Sequence, residues 1–363
     1  MNNKLSGIKI GIDAIGIKLP KYALELSELS VSHGKDSSYY TENNGGTVMS
    51  LCLKKDTVLT LAVEAIKRAL ENWHGNIKDI GFFAVGTESS FDFARPLSLW
   101  ISDEIGMNGN VRSYEIKSAC SAGTLAVKQA TEWLNSDTSN QKAALVVAVD
   151  ECLYSPNHPG ENTQGAAAIA MIITHNPKLC SIDQQSYCYS APIKDFYKPV
   201  SAKYPVVQGK LSIVTYKNAL LNCYNQLVKQ HSLKIFEDAD ALCFHTPCPK
   251  LVILALKAVA EKLQIPNITE IIRNKVTSNM QWNKVIGNSY TASLWISIAQ
   301  SLISSKGQII AYSYGSGCNA ELLTLNAHSN DTYWSEQVAQ DLANREFISG
   351  KQYYDMRYNK KLF

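Results

Sequence analysis

Long runs of one charge are missing from this 363-residue chain, and so are long apolar runs. Charged residues make up only 18%, below the roughly 25% of an average soluble domain. The net formal charge is only +3 and the basic residues are scattered. That argues against a nucleic-acid protein, which needs a basic stripe or patch. No stretch approaches the roughly 18 apolar residues that span a bilayer, so no membrane association is expected. The opening MNNKLSGIKIGIDAIG has no long apolar segment of the secretory kind. Its isoleucines alternate with Lys and Gly as in a strand. Paired, evenly spaced cysteines are also absent. The nine thiols at 52, 120, 152, 180, 188, 223, 243, 248 and 318 are odd in number and irregular. They read as reduced cysteines in a cytoplasmic protein.

What is present is enough apolar side chain, 45% of the residues, to offset the entropy of ordering a large core. Length alone suggests two lobes. Short apolar runs predict buried strands at 8–15, 80–87, 143–150, 167–173, 241–245 and 308–315. Between them, apolar residues recur at helical spacing over 59–73, 122–134, 216–228, 251–263 and 290–303. This alternation predicts an α/β fold with a mostly parallel sheet covered on both faces. Residues 31–55 read as loop or cover, and 176–212 as a crossover between halves. The polar, aromatic end from 326 onward carries a weak helical signal and no functional reading.

In open α/β sheets ligands bind beyond the carboxyl ends of the strands. Five such ends carry polar groups: Glu88, Asp150, His245, Asn288 and the turn Ser313–Gly317. Cys120 stands where SYEIK meets a helix, among Ser118, Ala119, Ser121, Ala122 and Gly123. The helix dipole there favours thiolate, and small neighbours leave backbone N–H groups open to an oxyanion. The alternative is an inert core cysteine. Glu88, if desolvated, suits a general base; otherwise it is an acid placed at a helix start. A neutral His245 could donate to a carbonyl. Cys243, His245 and Cys248 lack a second ligand pair with matching spacing, so no metal site is expected. SYGSG at 313–317 lacks the ending of a phosphate loop and reads as a tight turn.

Taken in order, seven blocks resemble the 3-hydroxy-3-methylglutaryl-CoA synthase family of the thiolase superfamily. They are GTES (86–89), YEIKSACSAGT (114–124), NTQGAAAIAM (162–171), DFYKP with KYPVVQGKLS (195–212), FHTP with Lys250, IGNSYTASL (286–294) and SYGSG (313–317). The resemblance implies an αβαβα thiolase fold of five layers and two similar halves, 1–176 and 177–363, commonly as a homodimer. It implies that Cys120 carries an acetyl group from acetyl-CoA, that Glu88 takes a methyl proton, and that His245 binds and polarises acetoacetyl-CoA. Asn288 and Ser316 resemble acyl contacts, and Thr163 and Lys250 resemble CoA-side contacts. Lys198 and Lys203 are further candidates for CoA phosphates. Such a condensation needs a covalent acyl carrier, a base and oxyanion donors, but no metal or redox cofactor.

Three departures stand out. Leu254 replaces a second family lysine, residues 31–55 match poorly, and the region after SYGSG is short. FDFARPLS (91–98) and YSYGSGC (312–318) lean toward a β-branching polyketide homologue that takes acyl groups from an acyl carrier protein. A type III ketoacyl synthase would not need Glu88, and a catalytically silent thiolase-fold partner would leave Cys120 unacylated.

Overall fold

The computed structural model describes residues 9–358 apart from 137, 138, 141, 233 and 330. Nine strands form one sheet: β1 (Ile10–Lys18), β2 (Ile80–Gly86), β3 (Arg112–Ile116), β4 (Ala143–Glu151), β5 (Ala166–His175), β6 (Cys180–Ser190), β7 (Ala241–Phe244), β8 (Gln308–Gly315) and β9 (Asn319–Ala327). Their spatial order is β7-β8-β9-β6-β1-β5-β4-β2-β3. The larger helices are α1 (Val58–Glu71), α2 (Leu97–Ile105), α3 (Ala122–Leu134), α4 (Gly209–Leu227), α5 (Pro249–Leu263), α6 (Thr291–Ser301), α7 (Tyr333–Ala343) and α8 (Gly350–Tyr358).

The same pairing sequence occurs twice. In the first half β1 and β5 are antiparallel, β5 and β4 antiparallel, and β4 and β2 parallel. In the second, β6 and β9 are antiparallel, β9 and β8 antiparallel, and β8 and β7 parallel. Edge strand β3 extends only the first set. The halves meet where the starts of β1 and β6 pair over two positions, Gly11 with Ser181 and Ile12 with Cys180. Gly11 is required there, because a Cβ would lie 2.1 Å from the Cys180 carbonyl oxygen.

The sheet is therefore mixed, not mostly parallel. Helical crossovers carry the chain into its parallel neighbours, whereas β8 returns into β9 through three residues, a link that only an antiparallel pair allows. Two strands escaped the sequence reading: β6 lies inside the segment assigned to a crossover, and β9 follows the turn. Residues 31–55 are not plain loop. They include helix Tyr39–Asn44 and strand Val48–Leu51, which pairs with Tyr22–Glu25 in a small sheet completed by Glu346–Phe347.

Three apolar clusters define the layers. One packs α1 and α2 outside the first half, and another packs α4 and α5 outside the second. The third joins α3 and α6 to strands of both halves. Helices α3 and α6 are buried on nearly every side rather than along one stripe, as a layer between two sheet faces must be. Small residues let them approach: a Cβ on Gly123 would lie 2.8 Å from the Ala148 Cβ and 3.1 Å from the Thr291 carbonyl oxygen. Helix α1 starts at a reciprocal cap in which the Thr60 N–H donates to Thr57 Oγ1 and the Thr57 N–H to Thr60 Oγ1. No described helix is long and apolar enough to cross a membrane.

Helix α7 is fixed to the first half by Asp341. Its carboxylate takes both guanidinium ends of Arg68 (2.7 and 2.8 Å), the Lys18 ammonium (2.7 Å) and the Leu19 N–H (2.9 Å). These partners hold its pKa below the ordinary value against the opposing effect of burial. Asp341→Ala leaves two cations without their partner and should cost about 3 kcal/mol of unfolding free energy at neutral pH. Because the folded pKa is depressed, the wild-type advantage is fully present above the unfolded value and lost as pH falls through the folded one. Denaturant titrations of both proteins at neutral and acidic pH check this, with the gap closing in acid.

Candidate active site

The carboxyl ends of β2, β4, β7 and β8 converge on the N-termini of α3 and α6. Glu88 follows β2 by two residues, and Asp150 lies near the end of β4. His245 follows β7 directly, and Ser316 begins the turn after β8. Cys120 and Tyr290 immediately precede α3 and its Ser121 cap, and α6, respectively. Two of these turns are held outside ordinary backbone space. Ala119 has φ +44°, and Tyr290 has φ 44° and ψ −110°. Such conformations cost on the order of 1–3 kcal/mol and persist only where surrounding contacts enforce them.

A cavity of about 80 Å³ is lined by Cys120, His245, Asn288 and Ser316 together with Tyr154, Phe196, Val207 and Tyr290. The Cys120 thiol donates to Glu88 Oε1 at 3.1 Å. Burial is the main cause that lifts the Glu88 pKa to about 8, the Asp150 carboxylate adds to it, and the Cys120 hydrogen bond and Lys198 oppose it. Burial also pushes the thiol well above its ordinary value, reinforced by Glu88. The dipole argument for a resting thiolate therefore does not hold: desolvation and a neighbouring acid outweigh one helix terminus. Burial drives His245 down to about 3, leaving a neutral imidazole. Its Nδ1 lies 2.8 Å from Ser293 Oγ, so Nε2 is the ring nitrogen left for a ligand.

Asp150 ties the site together. Fully buried, it accepts from Thr87 Oγ1, the Glu88 N–H, Ser89 Oγ, the Thr291 N–H and Thr291 Oγ1, all at 2.7–3.0 Å. Asp195, also fully buried, accepts from the Gly317 N–H at 2.8 Å, Ser212 Oγ at 2.9 Å and Tyr314 OH at 3.1 Å, and so fixes the turn that carries Ser316. The SYGSG segment is the tight turn expected, with φ +106° at Gly317.

Thr163 and Lys250 do not line the Cys120 cavity. The Thr163 hydroxyl donates to the Gly160 carbonyl at 2.7 Å, while its own carbonyl accepts from the Asn288 N–H at 2.9 Å. It borders a narrow second cavity that shares Pro247 with the first. The Lys250 ammonium donates to the Glu42 carbonyl at 3.0 Å. Among the described residues, no group of three His, Cys, Asp or Glu is arranged to hold a metal ion. Sequence reasoning gave no role to Asp195, Tyr154, Tyr290 or Ser293. Asp150 alone carried a signal, as an acid closing an apolar strand.

The family model described as hydroxymethylglutaryl-coenzyme A synthase N terminal matches residues 7–178, and its C-terminal counterpart matches 181–264 and 257–361. The chain belongs to the hydroxymethylglutaryl-CoA synthase family. It is thus one of the acyl-transferring condensing enzymes. It is 30% identical over 324 residues to a hydroxymethylglutaryl-CoA synthase of Enterococcus faecalis, covering 87% of this chain and 82% of that protein. It is 27% identical to the human cytoplasmic hydroxymethylglutaryl-CoA synthase, covering 89% and 72%. Its fold matches that of MvaS in complex with 3-hydroxy-3-methylglutaryl coenzyme A, with TM-score 0.88 and 25% identity, covering 97% and 92%. It also matches the HMG synthase of the curacin biosynthetic pathway in complex with an apo donor acyl carrier protein, with TM-score 0.90 and 25% identity, covering 97% and 88%. The thiolase-like fold is thereby shown.

The acid–thiol contact makes a prediction of its own. Glu88→Gln removes the carboxylate that raises the Cys120 pKa, so the midpoint of Cys120 alkylation by iodoacetamide should move to lower pH. An unchanged midpoint would mean that Glu88 does not govern the thiol.

Proposed function

We propose that this family member condenses acetyl-CoA with acetoacetyl-CoA to give hydroxymethylglutaryl-CoA and free CoA, through an acetyl thioester on Cys120. The observation that carries this reading is the Cys120–Glu88 contact, with Cys120 and a neutral His245 lining one cavity. Cys120 Sγ attacks the acetyl carbonyl, and its proton leaves with the CoA sulfur. Acetylation removes the hydrogen bond that the thiol gives Glu88. That bond lowers the Glu88 pKa, so the carboxylate becomes a stronger base once the acetyl group is in place. Glu88 then takes a methyl proton, the carbanion adds to the ketone carbon of acetoacetyl-CoA, and the proton held by Glu88 passes to the alkoxide that forms. The His245 Nε2 side faces that ketone oxygen and polarises it. Water hydrolyses the thioester. Asn288 and Ser316 meet the acyl group, Thr163 and Lys250 act on the CoA side, and no metal or redox cofactor takes part.

We place the enzyme in the cytoplasm as a homodimer in isoprenoid biosynthesis by the mevalonate route. A second reading, β-branching on carrier-bound acyl groups, draws on the likeness to the curacin-pathway synthase and on Leu254. This side chain is 55% exposed and apolar where a lysine would meet a CoA phosphate.

Incubation with acetyl-CoA should yield an acetyl adduct on the Cys120 peptide by mass spectrometry. An adduct formed only from an acetyl-carrier protein would favour the second reading, and none from either donor would sink the mechanism. Glu88→Ala and His245→Ala should keep the adduct and lose at least ~100-fold in condensation. Because the base must be deprotonated, and acetylation takes away the hydrogen bond that lowers a pKa already raised to about 8, the wild-type condensation rate should still be rising with pH as it passes about 8.

A further inference from the structure

The last described helix, α8, carries QYYDMRY and has had no role so far. Arg357 is almost fully buried, with 4% of its side chain exposed. Nη1 pairs with Glu151 Oε1 at 2.8 Å, and Nη2 donates to the Cys152 carbonyl at 3.2 Å. Next to it, Tyr358 OH donates to the Tyr154 carbonyl at 3.0 Å. Tyr353 OH accepts from Gln164 Nε2 at 2.7 Å, and Gln164 Oε1 in turn accepts the Tyr154 N–H at 2.7 Å. Helix α8 therefore grips residues 151–154, the strip of chain that runs from the last residue of β4, directly after Asp150.

That strip forms the back of the reaction cavity. Tyr154 lines it, and Cys152, Tyr154 and Tyr290 pack against Cys120. The strip also touches the base. Ser89 Oγ accepts from the Glu151 N–H at 3.1 Å and donates to Asp150 at 2.8 Å, and Asp150 holds the Glu88 N–H. A buried ion pair adds little net stability compared with an apolar replacement. A guanidinium fork does fix direction, because it meets a carboxylate and a carbonyl together.

We propose that Arg357 and Tyr358 are positioning residues for the condensation, holding the 151–154 strip so that Tyr154 closes the acyl cavity and Asp150 keeps Glu88 on Cys120. The proposal rests on the condensing reading above for its rate effect but not for its thiol effect. Loosening the strip admits water and separates Glu88 from Cys120, and both changes lower the thiol pKa.

The test compares Arg357→Met, Arg357→Lys and Tyr358→Phe with wild type in the full-length protein. Three measurements are made: the midpoint pH of Cys120 alkylation, kcat and KM for condensation, and the melting temperature. Arg357→Met should move the alkylation midpoint down and cut kcat about tenfold, the scale of sub-ångström misplacement, with KM nearly unchanged. Arg357→Lys should fall between the two. Tyr358→Phe removes one hydroxyl and keeps the fold, so it decides the matter if Arg357→Met fails to fold; it should show the same two changes in smaller measure. A lower melting temperature with native midpoint and kcat overturns the proposal, because the clamp would then be merely structural. A shifted midpoint in variants of a wild type that does not condense upholds the positioning and sinks only the condensing reading.

Discussion

The Glu88 side of this site and the start of α6 hang on one buried carboxylate. Asp150 gathers five donors from the end of β2, the segment after it and the start of α6. It joins the two halves of the molecule next to the cavity that Cys120 and His245 line. The Thr291 bonds hold the first turn of α6, and so help keep the neighbouring Tyr290 in its strained conformation. The Glu88 N–H bond helps set the Glu88 carboxyl beside the Cys120 thiol. A buried carboxylate needs such a shell, since each unmet acceptor site would cost desolvation free energy without return.

Exclusion of water sets the chemistry. Glu88 rises, Cys120 rises and His245 falls, in each case chiefly because the charged form is denied solvent. The resting site is thus a set of nearly neutral groups: a thiol, an acid that titrates close to physiological pH, and an imidazole that stays uncharged. Proton transfer between such groups needs no large charge separation in the low-dielectric cavity.

The α/β class, the extents of the central helices and the placing of Cys120, Glu88 and His245 at the junctions between elements were legible in the sequence. Buried strands and helices leave strong periodic signals; His245 and Glu88 follow buried apolar strands, and Cys120 stands among small residues just before a helix. The roles proposed for them come from the family blocks. The balance of parallel and antiparallel strands was not legible. Strand direction depends on which neighbour a strand finds, and β6 (CSIDQQSYCYS) is polar on its outer positions and gave no buried-strand run. The protonation tendency of Cys120 was misread for a related reason. A helix terminus is visible in sequence, but the depth of burial that overrides it is not.

The sequence by itself determined which residue types stand at the ends of strands, because the 2.0 and 3.6 periodicities mark element ends locally. Only the tertiary structure decided that ends some 200 residues apart in the chain share one cavity, and that Thr163 and Lys250 lie outside it. It alone brought the far C-terminal helix against the strip behind Cys120. Those relations depend on the two half-sheets facing each other across α3 and α6, an arrangement set by packing of small residues rather than by any local pattern.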